Sequence, residues 1–176
     1  MTDPEYRKLY EDLDTALSEA ETAADTEIAR LEGQLAQTEA DLDDMRTNAP
    51  KVDGKAIFKT TDGRVIDEDG NEVVGLLADD IVWPPNAAGA DKYLTAKRAA
   101  VDARAALDAW RGYRQDKLGD LRNRYEDGDN PMTKDEMRDA LEQIEGAKPA
   151  NVVEPDNDVG EASFTNETAP TAFPQL

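Results

Sequence analysis

The chain has no cysteine and no histidine, and aromatic residues make up only 6% of its 176 residues. Without cysteine there is no disulfide framework, no thiolate nucleophile and no thiolate-ligated cluster. Without histidine the usual proton shuttle near neutral pH is missing, along with Ser-His-Asp catalysis and the common zinc sites. No stretch approaches the ~18 uninterrupted apolar residues of a membrane span. The first ten residues lack the basic-then-apolar pattern of an export signal. The chain is therefore expected to be soluble, cytoplasmic at synthesis and available for incorporation into a particle. No GxGxxG, Walker or GxSxG pattern occurs.

Negative charge is abundant instead. Forty Asp and Glu face twenty Lys and Arg, for a formal net charge of -20. Such a field repels phosphate backbones and anionic membranes. The charge is patterned along the chain: residues 1–50 carry net -10, 51–90 net -4, 91–125 net +4 and 126–176 net -10.

The pattern follows the expected elements. A long acidic helix is predicted over 3–47, with Asp3 as N-cap and Pro4 in its first turn. Its apolar stripe runs through Tyr6, Tyr10, Leu13, Leu17, Ala20, Ala24, Ile28, Leu31 and Leu35. The spacing is that of a heptad seam with one stutter between Ala24 and Ile28. A helix about 66 Å long outgrows a small domain and needs a partner along that stripe. A second, basic helix is predicted over 91–125, with Leu107, Trp110 and Leu121 on its apolar side. Gly112 and Gly119 weaken it locally. Opposite charge and matching length make the two helices natural partners, most simply as an antiparallel hairpin. Leu13, Leu17, Ile28, Leu31, Leu35, Leu107, Trp110 and Leu121 are the expected helix-pairing residues. Whether they pair within one chain or between chains stays open.

Between the helices, 52–75 reads as a β-meander. Asp62-Gly63 and Asp69-Gly70 separate three short runs, Ala56 to Thr60, Arg64 to Ile66 and Glu72 to Val74. A linker over 76–90 follows, with Trp83 before two prolines as its packing anchor. A short helix over 133–146 opens with a capping box, Thr133 and Glu136, and with Met132 and Met137 placed as a hydrophobic staple. The segment 147–176 has no period of either kind and is expected to be an extended or disordered acidic tail. Its isolated Phe164, Phe173 and Leu176 are the expected partner-docking residues, inserted into pockets of another subunit.

Other candidate sites carry less. Arg98, Arg104, Arg111, Arg114, Arg122 and Arg124 could form a nucleic-acid stripe, but they are better read as facing the acidic first helix. The acidic run Asp67 to Glu72 fails the calcium-loop test: with Asp67 first, Glu72 stands where glycine is needed and Ala78 where glutamate is needed. Asp127-Gly128-Asp129 fails similarly, so turn chemistry accounts for both. No catalytic residue, metal site or cofactor is expected.

The Asp-Gly turns, Trp83-Pro84 and Trp110-Arg111-Gly112-Tyr113-Arg114 together are similar to features of small phage tail-fibre assembly proteins. The resemblance is confined to those residues and implies a virion or assembly context.

The expected fold is mainly α: a long antiparallel, coiled-coil-like helical hairpin, a small antiparallel β-meander inserted at its turn, a short third helix and an extended C-terminal tail. The expected function is non-enzymatic. The chain would bind other protein subunits through its helix stripes and tail, as an oligomer or part of a larger assembly such as a phage virion or secretion apparatus. Direct nucleic-acid contact and membrane insertion are not expected. The alternative is an acidic inhibitor (an immunity protein, antitoxin or DNA mimic) that acts through its carboxylates.

Overall fold

The computed structural model describes residues 3–150. The first helix, α1 (Pro4–Asn48), begins where its sequence provides a cap. The Asp3 carboxylate accepts from the backbone N–H of Glu5 at 2.9 Å and of Tyr6 at 3.4 Å, satisfying donors with no intrahelical partner. Leu13, Leu17, Ala24, Leu31 and Leu42 are its buried residues. Their spacing stays close to whole turns of a 3.6-residue helix, so they form one continuous stripe.

A second helical rod lies antiparallel to it. It consists of α2 (Ala90–Gly112), one widened turn over Tyr113–Lys117, and α3 (Leu118–Tyr125). In the widened turn the Leu118 N–H reaches back five residues to the Tyr113 carbonyl. Tyr113 and Leu118 would face about 140° apart in a regular α-helix. Here both are buried, at 5% and 0% exposure, because the extra residue rotates the stripe back toward α1. The turn begins directly after Gly112, a weak helix former. Trp110, before the turn, packs edge-on against Tyr113 with ring centroids 5.7 Å apart. Its indole N–H is the only buried side-chain polar atom without a hydrogen-bond partner among the described residues.

The third layer is α4 (Lys134–Gly146). Thr133 Oγ1 accepts from the Glu136 N–H at 3.1 Å, and Glu136 Oε1 accepts from the Thr133 N–H at 3.1 Å, a reciprocal capping box. Met137, Ala140 and Ile144 form its buried face, with Met132 just ahead of it. The helix starts beside the N-terminus of α1, where the Lys134 Nζ lies 2.6 Å from Asp3 and 3.1 Å from Glu5. It ends beside Tyr113, whose hydroxyl donates to the Ile144 carbonyl at 2.6 Å. One half of the hairpin is therefore a three-helix bundle.

The other end carries a small antiparallel sheet of β1 (Lys51–Val52), β2 (Lys55–Lys59) and β3 (Val65–Asp67), in that order. Its position at the hairpin turn is as the sequence implies, but one strand differs. Glu72 to Val74 contributes a single bridge, Ile66 to Glu72, and the outer strand is Lys51–Val52. Asp53 and Gly54 adopt φ of 51° and 82°, the two left-handed residues of a tight two-residue hairpin turn. The sheet is buried on both faces. Ala56, Phe58 and Ile66 pack toward the helices with Leu42, Ala90, Tyr93 and Ala100, while Ile57 and Val65 pack under the following loop with Ala78. Phe58 stacks on Tyr93 with centroids 3.9 Å apart. The Tyr93 hydroxyl and the Lys97 Nζ both donate to the Glu68 carbonyl, at 2.6 and 3.0 Å, fastening the sheet to α2.

Candidate functional site

The helix-pairing residues meet inside the chain. Leu13, Leu17, Leu31, Leu107 and Trp110 are buried in one cluster, with Ile28, Leu35 and Leu121 half-buried against it. These side chains face each other across a single hairpin.

An electrostatic ladder runs along one edge of that hairpin. Arg104 meets Glu39, Arg111 meets Glu32 at 2.6 Å, Arg114 meets Asp25 at 3.0 Å, and Arg122 meets Asp14 and Glu21, each at 2.9 Å. As residue numbers rise on one rod they fall on the other, which fixes the antiparallel direction. Arg124 turns instead to Glu136 of α4 at 2.8 Å. Of the six arginines that could have read a phosphate backbone, five are engaged with carboxylates, and Arg98 alone has no ion pair among the described residues. Most rungs are exposed and individually weak. Arg122 is the exception, with its side chain 18% exposed and Glu21 19% exposed. Its hydrogen bonds to Glu21, more than those to Asp14, hold its pKa above the usual arginine value.

The acidic turn after β3 spends its carboxylates on local structure. Asp67 Oδ1 accepts from the N–H of Asp69 at 2.9 Å and of Asn71 at 3.0 Å. Glu68 Oε1 accepts from the Ala56 N–H at 2.7 Å, and Asp69 pairs with Lys55 at 2.6 Å. Among the described residues no group of three carboxylates is arranged to hold a metal ion.

The sheet end also carries exposed apolar residues. The loop after β3 displays Val74, Leu77 and Val82 at 87%, 59% and 93% exposure. The loop itself is firmly held. Ala78 N–H donates to the Gly63 carbonyl at 2.9 Å, and Trp83 Nε1 donates to the Ala78 carbonyl at 2.8 Å. Trp83 thus packs beneath the loop, half-buried with Ile81 and Leu76, under the Lys59 ammonium 5.7 Å from its ring centre. Asp79 and Asp80 stand exposed beside these aliphatic residues. Sequence reading missed this surface because Val74 sat in an expected strand and Val82 in the anchor run with Trp83. Phe164, Phe173 and Leu176 lie outside the described residues.

No described helix is long and apolar enough to cross a membrane. In comparison with known proteins, the chain matches no family model, no curated protein and no solved structure.

Proposed function

We propose that the chain is a non-enzymatic assembly protein that binds another protein subunit at the sheet end of its hairpin. The observation that carries this reading is the trio Val74, Leu77 and Val82, exposed on a loop whose backbone and Trp83 are hydrogen-bonded in place. Several exposed apolar side chains carried on one short loop are the kind of feature that marks an interaction surface. A loop already fixed in position loses little conformational entropy when a partner covers it. Asp79 and Asp80 specify a partner with an apolar recess and a basic rim. The tail is a second docking element, and a virion or assembly context is what the resemblance of the Asp-Gly turns, Trp83-Pro84 and Trp110 to Arg114 implies.

The inhibitor reading needs a free row of carboxylates. Asp14, Glu21, Asp25, Glu32 and Glu39 on α1 are instead answered by arginines of the second rod, which favours assembly.

The test is affinity capture from one source with the full chain, with the triple variant Val74→Asp, Leu77→Asp, Val82→Asp, and with Glu19→Lys on exposed α1. A subunit recovered in fixed stoichiometry with the full chain and Glu19→Lys, and lost with the triple variant, is expected. Capture unaffected by the triple variant overturns the proposal.

A further inference from the structure

Three tyrosines gather at the end of the hairpin opposite the sheet. The rings of Tyr6 and Tyr10 lie 6.3 Å apart and those of Tyr10 and Tyr125 4.4 Å apart, inclined by only 13° and 22°. Tyr6 is fixed by its hydroxyl, which donates to the Met132 carbonyl at 2.9 Å. Tyr125 is capped by the Arg122 guanidinium, 5.5 Å from its ring centre. Tyr10 is 40% exposed. Beside these rings is a cleft of about 340 Å³, walled by the three tyrosines and Pro131, with Arg7 on one side and Glu126 and Asp127 on the other. Ligand clefts run from ~300 to 1,000 Å³, so this one has room for a short peptide segment only. Tyr6 and Tyr125 also pack against the core cluster of Leu13, Leu17 and Leu118, whereas Tyr10 does not.

We propose that this cleft holds Phe173-Pro174, from residues 168–176 of the chain's own C-terminal segment, against the exposed part of Tyr10. Three observations converge on that occupant. The first is chemistry. Residues 168–176 contain Pro170, Phe173 and Pro174 and no charged side chain, whereas all five acidic side chains beyond Ala150 precede Thr168. Proline-containing segments dock into aromatic-lined grooves because their rings stack on aromatic faces and their backbone starts with little freedom to lose. A segment without charged side chains also suits a cleft whose rim carries both signs of charge.

The second is reach. The Tyr113 to Ile144 bond places the end of α4 level with Tyr113, whose neighbour Arg114 pairs with Asp25. From Asp25 to Tyr10 along α1 is about 22 Å. Residues 151–167, fully extended, span up to ~56 Å, enough to double back to the cleft. The third is exposure: Tyr10 presents more aromatic surface to water than Tyr6 and Tyr125, which are half-buried. The inference is independent of the apolar-loop reading, since the cleft and the loop lie at opposite ends of the hairpin, and it places Phe173 within its own chain in place of docking to a partner.

The experiment uses the full chain with a benzoylphenylalanine photo-cross-linker in place of Phe173. Expected are intramolecular cross-links to peptides spanning Tyr6 to Tyr10 or Tyr125 to Pro131. Their yield should fall about fivefold or more in Tyr10→Ala, through loss of the aromatic contact. The yield should be unchanged in Val82→Asp, whose site is at the far end. Tyr10→Phe keeps the ring and should keep the cross-link. Cross-links to other regions, links only between chains, or no link overturn the proposal. None of these results depends on whether the apolar loop captures a partner.

Discussion

The Tyr113 hydroxyl donates to the Ile144 carbonyl at 2.6 Å, joining the widened turn of the second rod to the last turn of α4. A carbonyl in a final helical turn has no intrahelical donor, so the phenol satisfies a group that would otherwise be orphaned. Burial, and next the nearby Glu145 charge, raise the Tyr113 pKa above the usual tyrosine value. Tyr113→Phe keeps the ring and leaves that carbonyl unpaired. A loss of about 1–2 kcal/mol is expected by urea denaturation, with the slope of the transition unchanged.

The ladder along the hairpin edge is graded by exposure. Arg104 and Glu39 have side chains 60% and 49% exposed, so Arg104→Ala should cost under ~1 kcal/mol and nothing measurable in 1 M salt. Arg122 is mostly covered and holds two carboxylates, so Arg122→Ala should cost about 2 kcal/mol, most of it retained in salt. Equal costs for the two variants would mean that burial does not set the strength of the rungs.

Two glycines should respond to alanine with opposite signs. Gly33 sits exposed inside α1 with open space around it, so Gly33→Ala should stabilise the chain by up to ~1 kcal/mol. Gly54 also has open space but adopts φ of 82°, so Gly54→Ala should destabilise by about 1 kcal/mol for conformational reasons alone. Thermal melts of the two variants check the signs directly.

Acid should release one turn in particular. The Asp62 carboxylate accepts from the Thr60 hydroxyl and then from Arg64, which hold its pKa at about 2 against an ordinary 3.8. A carboxylate with a lowered folded-state pKa contributes stability that is complete above the ordinary value and is lost as pH falls through the folded value. The difference in melting temperature between the native chain and Asp62→Asn should be constant above about pH 5, shrink between about pH 4 and 2, and vanish below. A difference that does not change with pH would refute the contribution of this carboxylate.

Much of the frame can be read from local chemistry. Asp3-Pro4 marks the start of α1 and Thr133 with Glu136 that of α4, because the donors exposed at a helix N-terminus demand such residues. Charge by segment points to the hairpin, because the second rod is the only basic stretch. The outer strand is harder to see. Lys51–Val52 is two residues long and directly follows Pro50, and only pairing across Asp53-Gly54 makes it a strand. The widened turn after Gly112 is equally hidden. Glycine there signals weakness, but the five-residue reach from Leu118 to Tyr113 arises because the stripe must be rotated back onto α1. The exposed Val74, Leu77 and Val82 resemble core residues in composition, and only the packing around Trp83 shows them facing water.

The antiparallel pairing has a kinetic consequence. The rungs from Arg104–Glu39 to Arg122–Asp14 join residues 65 and 108 positions apart, so few contacts between the rods are local. Loop-closure entropy grows only slowly with loop length. Once the sheet and Tyr93 have drawn the rods together, each further rung closes a loop only slightly longer than the last. The hairpin should therefore zip from the sheet outward, and the tyrosine end should be the last to close. Chain ends that close last open first unless something holds them. Lys134 and Arg138, bridging α4 to Asp3 and Glu5, are placed where such fraying would begin.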